Sequence, residues 1–181
     1  IMSALAEQLN YLLALATIGS QIGIVILLGL FIFERLNGRK TLTLEYARAY
    51  GIHFAFFISL AGLATSLVYS EIIGFIPCGL CWLQRIFLYP QVLISAIALW
   101  KRDRGVLDYL MGLSVVGGAV ALYQHYLQMG GNPLVPCPAV GPEIDCAQRV
   151  VFEFGYVTLP LMSFTAFLLI ITMMVIAKSR K

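Results

Sequence analysis

Residues 14–33 read "ALATIGSQIGIVILLGLFIF", twenty consecutive positions without a charged side chain. A helix of that length rises about 30 Å, the thickness of a bilayer's hydrocarbon core. Its apolar residues are not confined to one face, which suits a helix surrounded mostly by lipid. The run also lacks the alternation of a membrane-barrel strand. A transmembrane helix over residues 9–33 is the expectation.

Working outward, the same reading applies over residues 50–70, about 79–100, 106–129 and 156–177. The chain of 181 residues is 60% hydrophobic and 12% charged, with a mean hydropathy of +0.89. Five spans leave little sequence for a soluble domain. The expected fold is an all-α membrane protein, a four-helix transmembrane bundle with one additional N-terminal transmembrane helix. Residues 1–45 hold that helix and a loop, and residues 46–181 hold the bundle. A cleaved signal peptide is the less favoured reading of the first span: no basic residue precedes it, only Glu7, and its apolar run is too long.

Ten of the twelve Lys and Arg residues fall in three places. These are Arg35, Arg39, Lys40 and Arg48; Lys101, Arg102 and Arg104; and Lys178, Arg180 and Lys181. On a five-span path all three lie on one side, which the positive-inside rule makes the cytoplasm. The N-terminus is then outside and the C-terminus inside. The net charge of +3 is a topology signal and no footprint of nucleic acid.

The four cysteines played no part in that topology, yet all fall on the outer side. Cys78 and Cys81 lie between spans two and three, and Cys137 and Cys146 between spans four and five. The compartment is oxidising and permits disulfides. Two structural disulfides are one reading, although a CxxC ring constrains little chain entropy. A four-thiolate metal site is another, although eight residues separate the second pair. The third is a redox relay between the pairs, and the neighbouring residues favour it.

In "PCGLCWLQR", residues 77–85, Pro77 closes a short loop and Gly79 allows a tight backbone. Cys81 lies where span three begins, within reach of the positive end of a helix dipole, which favours a thiolate. Arg85 follows one turn deeper on the same face. A charge at that depth implies a partner or an anionic ligand, with snorkelling to the interface as the plainer reading. With Trp82 and Gln84 beside it, the stretch offers a berth for a lipid-soluble quinone.

Together with "YQHYLQ" (123–128), "DCAQRVVFEFG" (145–155) and a proline-interrupted last helix around "TLPLMSF" (158–164), this motif resembles the DsbB family of membrane disulfide-forming proteins, including its BdbC-type relatives. The resemblance covers roughly residues 46–177 and leaves the first span outside. It implies a thiol:quinone oxidoreductase that reoxidises a thioredoxin-like (DsbA-like) thiol oxidase. It also implies that a disulfide between Cys137 and Cys146 is attacked by that partner, with Cys137 forming the mixed disulfide. Cys146 would exchange with Cys78, leaving Cys81 to deliver electrons to a ubiquinone or menaquinone beside Arg85. His125 matches a family histidine close to the quinone; a polar packing role is its plainer reading.

Three departures stand out. "CPAVGPEIDC" (137–146) is much shorter than its counterpart in the best-known members, which argues against a long swinging arm. Gln84 stands where those members carry an acidic residue, so a proton-handling role does not transfer. The first helix is unmatched. Prolines 133, 136, 138 and 142 suit an exposed loop with Cys137 held extended, and "RVVFEF" (149–154) suits either the headgroup zone or a short loop climbing into span five. His53 is read as interfacial, and Gly62 with Ser66 and Ser114 with Gly118 as close-packing positions.

The nearest rival activity is that of the vitamin K epoxide reductase family, in which a small helical bundle also sets CxxC beside a quinone. A transporter or scaffold with structural disulfides is the rival from another class. Against a transporter, the spans carry no repeated ionisable pattern and no inverted repeat.

Overall fold

The computed structural model describes residues 2–137 and 145–179, with side chains from residue 6 onward. Five helices follow one another: α1 (Met2–Asn37), α2 (Leu42–Leu67), α3 (Gly79–Lys101), α4 (Leu107–Gln128) and α5 (Leu159–Lys178). A π turn, Val68–Ile72, extends α2. All five helices are long and apolar enough to cross a membrane, and the chain is an all-helical, multi-pass membrane protein.

The helices differ from the apolar runs chiefly at their ends. α1 continues through Glu34 and Arg35 because polar side chains at a span's end reach water while the backbone stays helical. It stops where Gly38 takes a left-handed φ of 67° and its N–H bonds Glu34 O at 2.9 Å, a common helix stop. α5 begins at Leu159, three residues after the expected start. A turn with positive φ at Phe154 and Gly155 precedes it, and the Thr158 hydroxyl caps it by accepting from Leu161 N. Pro160 consequently sits in the first turn, where no N–H is required, and does not interrupt the helix. The proline inside a helix is Pro90 of α3.

Small residues set the closest approaches. A Cβ on Gly117 of α4 would stand 2.5 Å from the Phe167 ring of α5, and one on Gly51 of α2 would stand 2.9 Å from Ala177 Cβ. Gly62 of α2 leaves room for Leu88 of α3 in the same way. Phe167 is fully buried in the cluster that unites α2 to α5. α1 stands apart from this set: it packs along α5 and barely touches α2.

The end of the bundle away from the cysteines carries the basic residues noted above, of which Arg180 and Lys181 lie outside the described residues. Arg48 is its junction. Its guanidinium pairs with Glu34 of α1 at 2.7 Å and donates to Ser179 Oγ, just past α5, at 3.1 Å. The Lys178–Asp108 pair, at 2.6 Å, is exposed on both sides and contributes little.

Candidate active site

Cys78 is the extended residue that precedes α3, and its carbonyl accepts the first helical bond, from Trp82 N at 3.0 Å. Cys81 occupies the first turn, where N–H groups have no partner within the helix. One helical turn thereby brings the two thiol sulfurs to 2.8 Å, close enough that two-electron oxidation to a disulfide would need only a small side-chain movement. The hydrogen bond with Cys81, and after it burial, raise the Cys78 thiol above its ordinary range.

A third residue completes this pair. Gln124 of α4 is buried, and its Nε2 donates to Cys78 Sγ at 3.1 Å and to Cys81 Sγ at 3.3 Å. Its Oε1 accepts from Gln84 Nε2 of α3 at 2.5 Å. With that bond made, the Gln124 amide turns its Nε2 toward both sulfurs, while its Oε1 also lies 3.8 Å from Cys81 Sγ. Donors aimed at sulfur favour negative charge there. Gln124 belonged to the quoted "YQHYLQ" without a role of its own; the helical spacing that aligns it with Cys81 and Gln84 becomes visible only once α3 and α4 are side by side.

Arg85 lies one turn below Cys81 and is half-buried. Its Nη2 donates to Ser66 O of α2 at 3.0 Å, just before the π turn, and its guanidinium sits 5.1 Å from the centre of the Trp82 ring. Among the described residues no carboxylate pairs with it. The charge is therefore available to an anionic or electron-rich guest.

Beside these groups is a cavity of about 320 Å³, within the roughly 300–1,000 Å³ of small-molecule sites. Cys81, Gln84, Arg85 and Gln124 line one wall, and apolar residues such as Leu88 and Leu169 line much of the rest. Two of the four residues expected beside the quinone are not in its lining. Trp82 is 42% exposed and touches the site through Arg85. His125 turns toward the start of α5, where its Nδ1 bonds Thr158 Oγ1 at 2.8 Å, and it lines a separate shallow hollow with Tyr126 and Met129.

Cys137 and Cys146 are joined by a disulfide, and Cys146 is buried. Both belong to one apolar cluster with Cys78, Cys81, Leu80 and Leu127, so the fold gathers all four cysteines. Side chains of α4 hold the loop there. The Tyr123 hydroxyl accepts from the N–H groups of Leu134 and Val135 at 3.1 and 3.0 Å. Gln128 Nε2 donates to Gln148 O at 2.9 Å, and Arg149 Nε donates to Gln128 O. The stretch after Cys146 forms a tight turn, with a bridge between Glu153 and Val157, and Val151 is buried. Prolines 138 and 142 lie outside the described residues.

Residues 48–177 match the family described as "Disulfide bond formation protein DsbB". The chain belongs to the DsbB family. It is 44% identical over 128 residues to a "SPbeta prophage-derived disulfide bond formation protein B" of Bacillus subtilis, covering 70% of this chain and 85% of that one. It is 35% identical over 133 residues to "Disulfide bond formation protein C" of the same organism, covering 72% and 94%. A "Probable disulfide formation protein" of Chlamydia pneumoniae is 35% identical over 136 residues, covering 75% and 96%. No solved structure matches the chain. The DsbB match begins in α2 and ends in α5, so α1 lies outside it.

Proposed function

We propose that this DsbB-family protein is a thiol:quinone oxidoreductase that regenerates the disulfide of an extracytoplasmic thioredoxin-like oxidase. The single observation that carries the reading is the position of Cys81, at once 2.8 Å from Cys78 Sγ and in the wall of a cavity that also presents Arg85. The sequence motif alone could not supply that juxtaposition.

The electrons balance across four thiol–disulfide exchanges and one transfer out of the CxxC pair. The partner's dithiol attacks the Cys137–Cys146 disulfide, its first thiolate bonding Cys137 Sγ while Cys146 leaves as thiolate. The partner's second thiol resolves the mixed disulfide, leaving the partner oxidised and the loop reduced. Cys146 then attacks a Cys78–Cys81 disulfide at Cys78, releasing Cys81 as thiolate, and Cys137 attacks Cys146 to close the loop disulfide again and release Cys78, so the CxxC pair carries two electrons and two protons. Cys81, Gln84, Arg85 and Gln124 would hold a quinone in the cavity, and such a group would supply a two-electron, two-proton acceptor for that pair.

The chain's own residues divide the remaining work. Gln124, oriented by Gln84, donates to both sulfurs and favours charge on the pair during exchange. Arg85 meets negative charge developing on a bound carbonyl oxygen. The apolar walls exclude water, which strengthens that interaction. The basic end of the bundle faces the cytoplasm in this reading, which puts both cysteine pairs outside. Residues 1–45 then form the added helix, its loop and the first turn of α2, and residues 46–181 the rest of the redox bundle.

The test is reduction of soluble benzoquinone and naphthoquinone analogues by the purified protein, with a reduced thioredoxin-like oxidase as donor. Turnover that disappears in Cys81→Ser and falls sharply in Arg85→Ala is the expected result. Unchanged rates in both variants, or no turnover by the parent with any donor and quinone, would overturn the reading.

A further inference from the structure

The cavity beside Cys81 is not made by the family-matched helices alone. Leu13, Ala16, Thr17 and Ser20 of α1 line it as well. Their spacing of three, four and seven residues places them on one face of the helix. Across the space stand Ile58, Ala61, Gly62 and Thr65 of α2.

Two further observations show where this chamber opens. First, α1 is fastened at both ends and along α5 but not along the middle of α2. Asn10 Oδ1 accepts from the Tyr69 hydroxyl at the cysteine end, Gln21 Nε2 donates to Thr165 Oγ1 of α5 at 3.2 Å, and Glu34 pairs with Arg48 at the far end. Second, among the described residues that line the cavity, Ala16 and Ala61 alone are exposed; the others are buried or half-buried. An opening between α1 and α2, with an alanine on each side, accounts for that exposure.

We propose that α1 is a working part of the quinone site, and that the gap between Ala16 and Ala61 is the lateral door through which the quinone's hydrocarbon tail passes to the lipid. This rests on the function proposed above. The cavity volume of about 320 Å³ suits the ring and the first part of a tail. The remainder of a long tail must leave the protein, and a gap opening onto hydrocarbon removes no apolar surface from its preferred solvent. Alanine on both lips keeps the passage wide, as small residues do wherever membrane helices leave room for one another.

The door is tested with Ala16→Trp and Ala61→Trp, which add bulk at positions already facing lipid and so leave the packed core intact. The probes are a benzoquinone and a naphthoquinone, each carrying a diazirine part-way along a decyl tail. In the parent, photolysis should label α1 near Ala16 and α2 near Ala61, and each Trp variant should lower that labelling. In turnover assays the variants should raise the KM for the long-tailed quinone by about tenfold or more, the signature of lost binding. Exchange of the Cys137–Cys146 disulfide with a reduced thioredoxin-like donor should keep its parental rate. Labels confined to α3 and α5, with unchanged KM in both variants, would overturn the door while leaving the quinone reading in place. A parent that neither labels nor turns over with either ring would overturn both.

Discussion

The two cysteine pairs are built in opposite ways. Cys78 and Cys81 are fixed by one turn of regular helix, and both sulfurs face a buried amide that is itself oriented by a second amide. Cys137 and Cys146 sit on chain without helix or strand, joined covalently and held to α4 through Tyr123, Gln128 and Arg149. A pair that must meet a small guest in one geometry needs a scaffold whose rotamers are locked. A pair that must meet another protein's sulfur needs backbone that a partner can reach. On the function proposed above, the first pair would serve the cavity and the second the protein partner.

That contrast is open to breaking. The largest effect belongs to Cys81→Ser, which should abolish quinone reduction while the loop disulfide still exchanges once with a dithiol donor; Cys137→Ser should abolish both. Stopped-flow measurement of donor oxidation beside steady-state quinone reduction separates the two. Gln124→Leu removes both donors from the sulfurs and orphans Gln84 Nε2, so quinone reduction should slow about 10- to 100-fold, the kinetic equivalent of roughly 1.5–3 kcal/mol in charge-assisted hydrogen bonding. The single exchange at the loop should hold its rate, which a general loss of fold would not allow. Gly117→Ala drives a methyl into the Phe167 ring and should destabilise the protein by about 1–3 kcal/mol, seen as a lower midpoint of thermal unfolding in detergent. The smallest effect is expected from Tyr123→Phe. It releases the Leu134 and Val135 amides, costs about 0.5–1.5 kcal/mol locally, and should raise hydrogen exchange at those two positions with little change at α3.

The spans were legible because lipid imposes a length that composition alone can satisfy, and residues 14–33 do so without help from the rest of the chain. Helix ends were harder to read. Thr158 and Pro160 carry an N-terminal signal, yet the apolar run around them does not distinguish the cap from the helix, so from sequence Pro160 reads as an interruption. The CxxC pair and Arg85 could be found from spacing within one helix. Gln124 could not, because its partners are some 40 residues away on α3 and only the packing of α3 against α4 brings them together. The same holds for α1, whose apolar sequence announces a span but not that one of its faces would line a chamber shared with Cys81.

The Arg48 junction bears on how such a chain is assembled. α1 and α2 are adjacent in sequence, with Gly38 to Thr41 between them, yet they scarcely pack on each other, and Glu34 finds its cation fourteen positions later on the second helix. The same guanidinium also needs Ser179, beyond the fifth helix. During synthesis the first two helices can neutralise each other's charges as a hairpin, but the hydroxyl partner arrives only after every other span has emerged. Arg48 thus reports on completeness: a nascent bundle lacking α5 retains its ion pair and lacks the bond that ties the opening helices to the closing one.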